Sequence, residues 1–358
     1  MQQIERDQIG NQAKGFEAIR AVFQKAARAF FMLPAVRAVI DRTEKQFTFR
    51  KYPIISKQAD KILRQTAFEI SVIMRTGTVN SWRLGEALHK AEILPKISPE
   101  LGSKLYERAV FSHRAEAMQD FVNRVNNGLK LSERVWNLTE PLKPLLEKTV
   151  QIGIIEGQSA MQMINDLKVF LLNPAVMQNK YRRYTDELPF TNDKAVFHPG
   201  RGVYRSPEKN CRRMYANETN IAYRKAYSLQ AQGNPVVVGF DIQLSNNHTL
   251  NGVPFVDVCD HLKGRYPKWF VFTGWHVLCR CHALSVLCTK QELNDMAETD
   301  LGGDLSDFHS QNEVKTVPPG FSKWIQDNAE RSQNWKRQPD FIQNNFKGGK
   351  VKGGLYAQ

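Results

Sequence analysis

The stretch from Val256 to Val286, VDVCDHLKGRYPKWFVFTGWHVLCRCHALSV, decides how the rest of the chain is read. Extended to Cys288, it holds four of the five cysteines and three of the eight histidines. His276, Cys279 and Cys281 form an H-x2-C-x-C group, and Cys259 and His261 stand upstream as C-x-H. A zinc ion takes four nitrogen or sulfur donors in a tetrahedron, commonly as two close pairs from separate segments. The spacing nominates Cys259, His276, Cys279 and Cys281 as ligands of one zinc ion, with His248, Asp257 and His261 competing for one position. Free thiols that pack as small hydrophobes are the alternative. A disulfide is the least expected state, because no secretion signal precedes the domain.

Between the two pairs, Trp269-Phe270-Val271-Phe272 is aromatic and β-branched, which predicts a strand, and Thr273-Gly274 turns the chain toward His276. If the segment that follows is extended, Cys279, Cys281 and Ala283 share one face. Upstream, Ser206-Pro207 is a capped helix start and Gly233 a stop. On the wheel of that helix Glu218 falls within an apolar stripe with Cys211, Ala222 and Leu229, so it is expected to be a buried structural acid with an ionic partner. Residues 235–244 then read as a strand and Ser245-Asn246-Asn247-His248 as a polar turn. The domain is α+β.

Residues 1–190 read as helix after helix. Phe16, Ile19, Phe23, Ala26, Phe30 and Leu33 form one amphipathic stripe ending near Pro34, and Ala59, Ile62, Leu63, Ala67, Ile70 and Met74 a second. Ser98-Pro99-Glu100 opens a helix predicted to run to about Asn127, with Gly128 as its stop. Further helices are predicted from Leu142 toward Ile155 and from Ser159 to Leu172. There is no Gly-rich phosphate loop. The fold class is therefore mainly α with a smaller α+β domain: an elongated, basic helical N-terminal region over 1–190, a compact zinc-stabilised helix-plus-strands domain over 191–295, a C-terminal helical extension over 296–346 and a flexible basic tail over 347–358.

The 358 residues carry 50 Lys and Arg against 36 Asp and Glu, a net charge of +14. The excess is spread along the chain, which favours contact with nucleic acid or an acidic protein surface. Arg182 and Arg183, flanked by Tyr181 and Tyr184, are candidates for pairing phosphates while the tyrosines stack on bases. Lys347, Lys350 and Lys352 in the tail are further candidates. No apolar run approaches the roughly 20 residues needed to span a bilayer, and the first residues lack the order of a signal peptide. The expected setting is a cytoplasm, without membrane contact.

Taken in order, Gly200-Arg201-Gly202-Val203-Tyr204, Asn217-Glu218-Thr219-Asn220-Ile221-Ala222-Tyr223-Arg224, Leu244-Ser245-Asn246-Asn247-His248, Val258-Cys259-Asp260 and Gly274-Trp275-His276-Val277-Leu278-Cys279-Arg280-Cys281 resemble the phage Mu F-like minor head proteins. The resemblance covers roughly residues 195–295, and its closing H-P-x-C-R-C motif is its most specific part. Val277 stands where that family usually has proline, and Ala216-Asn217-Glu218 where it usually has Arg-Thr-Glu. The resemblance implies a structural minor head protein of a tailed bacteriophage, acting in head morphogenesis, with the portal protein, other head proteins and phage DNA as partners. It also implies a location in the virion head, after assembly in the host cytoplasm.

Enzyme motifs are missing from the sequence. A zinc deaminase needs H-x-E near P-C-x-x-C and a zinc protease H-E-x-x-H, and neither is present. Cys211 and Cys288 stand as bare candidates for a nucleophile, without a Cys/His/Asn order. The alternatives to a head protein are a zinc-stabilised nucleic-acid-binding protein or a metal-dependent nuclease built on His248, Asp257, Asp260 and His261.

Overall fold

Capping side chains set the ends of the helices. Ser98 Oγ accepts from the Leu101 amide, Ser159 forms a reciprocal capping box with Gln162, Thr289 forms another with Glu292, and Ser206 Oγ accepts from the Lys209 amide at 3.0 Å. Each satisfies an amide that the first helical turn leaves without a partner. The structure, a computed structural model, describes residues 1–41, 47–184, 204, 206–245, 249–250, 252–299 and 308–356. In chain order the helices are α1 (Gln2–Phe31), α2 (Pro34–Asp41), α3 (Pro53–Ile93), α4 (Pro99–Glu107), α5 (Ala115–Asn123), α6 (Leu131–Thr139), α7 (Leu142–Ile155), α8 (Ala160–Leu172), α9 (Pro174–Arg183) and α10 (Pro207–Gln232). There follow β1 (Val237–Gln243), β2 (Thr249–Leu250), β3 (Val253–Pro254), α11 (Val258–Leu262), β4 (Gly264–Pro267), β5 (His282–Leu287), α12 (Lys290–Glu298), α13 (Pro319–Gln333) and α14 (Asp340–Asn345). The fold is mostly helical with a small antiparallel sheet, as the composition and periodicity predict.

The chain forms two compact units that are not consecutive segments. One comprises Gln12–Gly77 and Asn123–Ala216; the other comprises Met1–Asn11, Thr78–Val122 and Asn217–Gln358. Single long helices, α1, α3 and α10, supply residues to both, which a division by position in the sequence does not foresee. The expected boundary near residue 190 lies outside the described residues.

Among the described residues, the elements of the first of these units are helices joined by turns. Phe23, Phe30, Phe31, Leu146, Leu167 and Phe170 are buried in its core, and the sequence stripes of α1 and α3 point there. Phe47 stacks on Tyr52 at 5.3 Å between centroids, and Gln151 donates to the Phe47 carbonyl, fixing the connection before α3. The ring of Tyr215 lies against Gly15 and Gly77 so closely that a Cβ at either would meet it at 2.0 or 2.1 Å. Only glycine permits that approach.

In the other unit β1 is the central strand of the order β4-β1-β5, antiparallel to both neighbours, with Phe240 opposite Tyr266 and Ser285. Glu92 of α3, 2 % exposed, binds this sheet to two helices. It accepts from the Tyr227 hydroxyl of α10, from the Ser285 amide of β5 at 3.0 Å and from Lys96 at 3.0 Å. A buried carboxylate is tolerable with that many donors.

Three expectations are corrected here. The helix predicted from Ser98 to Asn127 is broken into α4 and α5, because Ala109 turns left-handed at φ 54° and Glu86 takes both the Arg114 amide and the His113 ring. Trp269-Phe270-Val271-Phe272 is not a strand. Phe270 and Phe272 are core side chains, and the Asn345 side chain accepts from the Val271 amide at 2.7 Å and donates to its carbonyl at 2.9 Å, as a neighbouring strand would. Over residues 347–356 the tail is packed against the fold. Gly348, Gly349 and Gly354 adopt positive φ, which folds the chain back so that Lys347 donates to the Gly354 carbonyl at 2.9 Å and Val351 and Leu355 enter the core. Lysine and glycine content alone hides those two anchors.

Candidate metal centre

Two short pieces of chain bring the cysteines together. Asp257 caps α11: its Oδ1 accepts from the Cys259 amide at 2.7 Å, and Asp260 Oδ2 accepts from the Asp257 amide at 2.9 Å. This reciprocal box places Cys259 in the first turn with its thiol facing inward, 1 % exposed. The second piece is the turn from Gly274 to Cys281. Gly274 has φ +100°, Leu278 has φ 64°, and the Cys279 amide donates to the His276 carbonyl at 3.1 Å. Left-handed backbone at Leu278 costs energy that the surroundings must hold. Trp275, buried among Phe272, Phe270, Tyr266 and Phe341, anchors the turn on one side.

Arg224 of α10 anchors it on the other. Its guanidinium donates to the carbonyls of Cys279 at 2.5 Å, Cys281 at 3.0 Å and Thr273 at 3.4 Å, and lies 5.4 Å from the centre of the Phe272 ring. A Cβ on Gly274 would meet Arg224 at 2.6 Å and Cys279 Cβ at 3.2 Å, so glycine leaves the room the guanidinium uses.

The result is a buried cluster of Cys259, Cys279 and Cys281, with sulfur atoms all within 4.8 Å of one another, that has the donors to hold a metal ion. Cys259 Sγ is 3.9 Å from Cys279 Sγ and 3.1 Å from His276 Nε2. A tetrahedral ion with metal–sulfur bonds of about 2.3 Å requires sulfur atoms about 3.8 Å apart and sulfur–nitrogen separations of about 3.6 Å. The donors fit. His276 Nδ1 lies 3.0 Å from the Val277 carbonyl, which only accepts, so Nδ1 carries a ring hydrogen and a metal ion would be met by Nε2. That is the arrangement a metal ligand needs.

Asp257, Cys259 and His276 form a second overlapping group, with Asp257 Oδ2 3.4 Å from His276 Nε2. The two groups share Cys259: three buried thiols on one side, and the exposed His276 with Asp257 on the other. His261 is exposed and belongs to neither group, and His248 lies outside the described residues. Hydrogen bonds from Cys259 and Cys281 hold the Cys279 thiol well below the usual range, and Arg224 adds to this against the effect of burial. The same contacts and burial push Cys259 up.

All five cysteines are free. Burial pushes Cys288 up to about 11 and raises Cys211 further, so neither is an activated nucleophile. Asp257 and Asp260, proposed for a nuclease, spend oxygens on backbone amides. Glu218 is buried at 2 % exposure on α10, as its place on the wheel predicts. Tyr181 is fully buried beside Lys148, and Tyr184 donates to Glu156 at 3.0 Å, so the pair does not flank Arg182 and Arg183 as an exposed stacking platform. Arg182, Arg183, Lys347, Lys350 and Lys352 are exposed.

Arg224 is the site residue that sequence reasoning passes over. Its contacts lie 49 to 57 residues downstream, and nothing in its own helix marks it. No family model matches the chain, and neither a curated protein nor a solved structure resembles it significantly. Among the described residues, no helix is long and apolar enough to cross a membrane.

Proposed function

We propose that this protein is a structural, non-enzymatic component stabilised by zinc, and that it serves as a minor head protein of a tailed bacteriophage in contact with the portal and with DNA. The observation that carries the non-enzymatic part is the donor set. Cys259, Cys279 and Cys281 supply three buried thiols and His276 stands 3.1 Å from Cys259 Sγ; in this reading His276 moves in as the fourth ligand and leaves no open position, whereas catalytic zinc sites keep one for water or substrate. Borderline-soft zinc suits three thiolates and an imidazole. In this reading the ion ties α11 to the turn before β5 and acts on no substrate.

The head-protein part is supported by the ordered resemblance over residues 195–295, and the DNA contact by the net charge of +14 and the exposed Arg182, Arg183, Lys347, Lys350 and Lys352. Quantitative mass spectrometry of gradient-purified capsids and mature particles tests it. Several copies per particle retained through a high-salt wash are expected. Absence from both would sink the head assignment and leave a zinc-stabilised nucleic-acid-binding protein acting outside a capsid.

A further inference from the structure

A cleft of about 550 Å3 opens between the end of α4, the loop before β1, the turn after β4 and the segment 308–315. It lies within one unit and is separate from the cysteine cluster. Arg108, Lys268 and Lys315 line it together with Trp269 and Phe308. Glu313 is the one carboxylate among its described lining residues, and His309 holds it at 3.2 Å. The walls are held by hydrogen bonds: the Val314 amide donates to the Val238 carbonyl at 3.2 Å, and the Gln232 side chain donates to the Trp269 carbonyl at 2.8 Å.

Lys268 is the informative residue. Its ammonium donates to the Asn234 carbonyl at 2.8 Å, and no ion pair joins it to a carboxylate among the described residues. Burial lowers its pKa, opposed by Cys288, a thiol that burial itself pushes up to about 11. The surplus of positive charge extends inward. After burial itself, Lys268, Arg114 and Lys96 are what hold buried His89 in its neutral form. A charge withdrawn from water without a counter-charge is costly, and an anion in the cleft removes that cost for Lys268, with the exposed Arg108 and Lys315 adding their charge at the mouth.

The geometry points to a binding site for a phosphate-bearing ligand, a nucleotide or the phosphate of a nucleic-acid strand, with Lys268 at its floor and Arg108 and Lys315 at its rim. The volume falls within the range of small-ligand sites, and the indole of Trp269 offers a surface for a base. This site goes beyond the proposed function and does not depend on metal.

Calorimetric titration of the full chain with a nucleoside triphosphate, and fluorescence anisotropy with a short labelled single-stranded DNA, test the site in wild type, Lys268→Met and Lys315→Glu. At least one probe should bind, and either substitution should weaken it about tenfold or more, the scale of a lost charge-assisted hydrogen bond. Weakening of both probes identifies a nucleotide site, and weakening of the DNA alone identifies a strand site. K268M should melt at or above the wild-type temperature, because the desolvated cation is gone. Should it melt lower, the exposed Lys315→Glu decides alone. Failure of both probes to bind, or binding untouched by the substitutions, overturns the proposal.

Discussion

The guanidinium of Arg224 donates to the carbonyl oxygen of Cys279 at 2.5 Å, 55 residues away in the chain. A neighbouring bond to Cys281 and the ring of Phe272 complete a clamp on the backbone that carries two of the three thiols. Partners of this kind, one step removed from the ion, typically contribute 10 to 100-fold to metal affinity. Arg224→Met is therefore expected to weaken zinc binding by about that factor in a chelator competition, with Arg224→Lys recovering part of it. A cobalt-substituted protein should show shifted thiolate bands in R224M. Unchanged affinity and spectrum, with only a lower melting temperature, would reduce Arg224 to a packing role.

Metal analysis of the purified protein should find about one zinc per chain, as for a single tetrahedral site. The double substitution Cys279→Ser, Cys281→Ser should bring this to background and lower the melting temperature of the unit that contains β1. Chelation should do the same to wild type. Full metal and stability in the double variant would return the cysteines to the status of core thiols.

Buried His89 gives a pH dependence of definite sign. Burial, with Lys268, Arg114 and Lys96 nearby, lowers its pKa to about 3, below the ordinary 6.5. Between those values the unfolded chain takes up a proton that the native protein refuses, so stability is full above about pH 6.5 and falls as pH drops toward 3. From pH 6.5 to 4.5 the contribution is about 2 to 3 kcal/mol. Urea melts should show wild type losing that much more than His89→Gln over the same interval. Parallel losses would mean that the ring protonates in place.

Tyr227→Phe removes a hydroxyl that donates to Glu92 and meets Ser285 Oγ at 2.8 Å. The buried carboxylate loses a donor, and a cost of about 1 to 3 kcal/mol is expected in equilibrium unfolding. Phenylalanine keeps the ring contacts with His89 and Phe240, so the hydroxyl alone is measured.

Leu355→Ala should destabilise by about 2 to 5 kcal/mol, the cost of emptying a core site. The side chain is 3 % exposed and reaches the core through the glycine turns after Phe346. A solvated tail would make the same substitution neutral.

Helix starts are the most legible part of the sequence, because a cap is local: Ser98, Ser159, Ser206 and Thr289 each act on an amide three residues on. The meeting of Cys259 with Cys279 and Cys281 is also legible, since chelating spacing survives an error about the intervening strand. What stays hidden depends on distant partners. Val271 pairs with Asn345 across 74 residues, and Glu86 ends a helix from 27 and 28 residues before the break. Aromatic and β-branched content at 269–272 suits a strand and a buried irregular segment equally, and only the neighbour decides. The interleaved units arise in the same way, from helices long enough to serve two cores.

The reach of Asn345 to Val271 also sets an order in time. During synthesis the cysteines of the turn emerge long before Phe341, Ile342, Asn345, Val351 and Leu355, which close the core around it. The first eleven residues, which belong to the same unit, wait longest of all. A nascent chain stopped short of Phe341 would present three thiols without the walls that bury them, so the closure of the cluster follows the arrival of those residues.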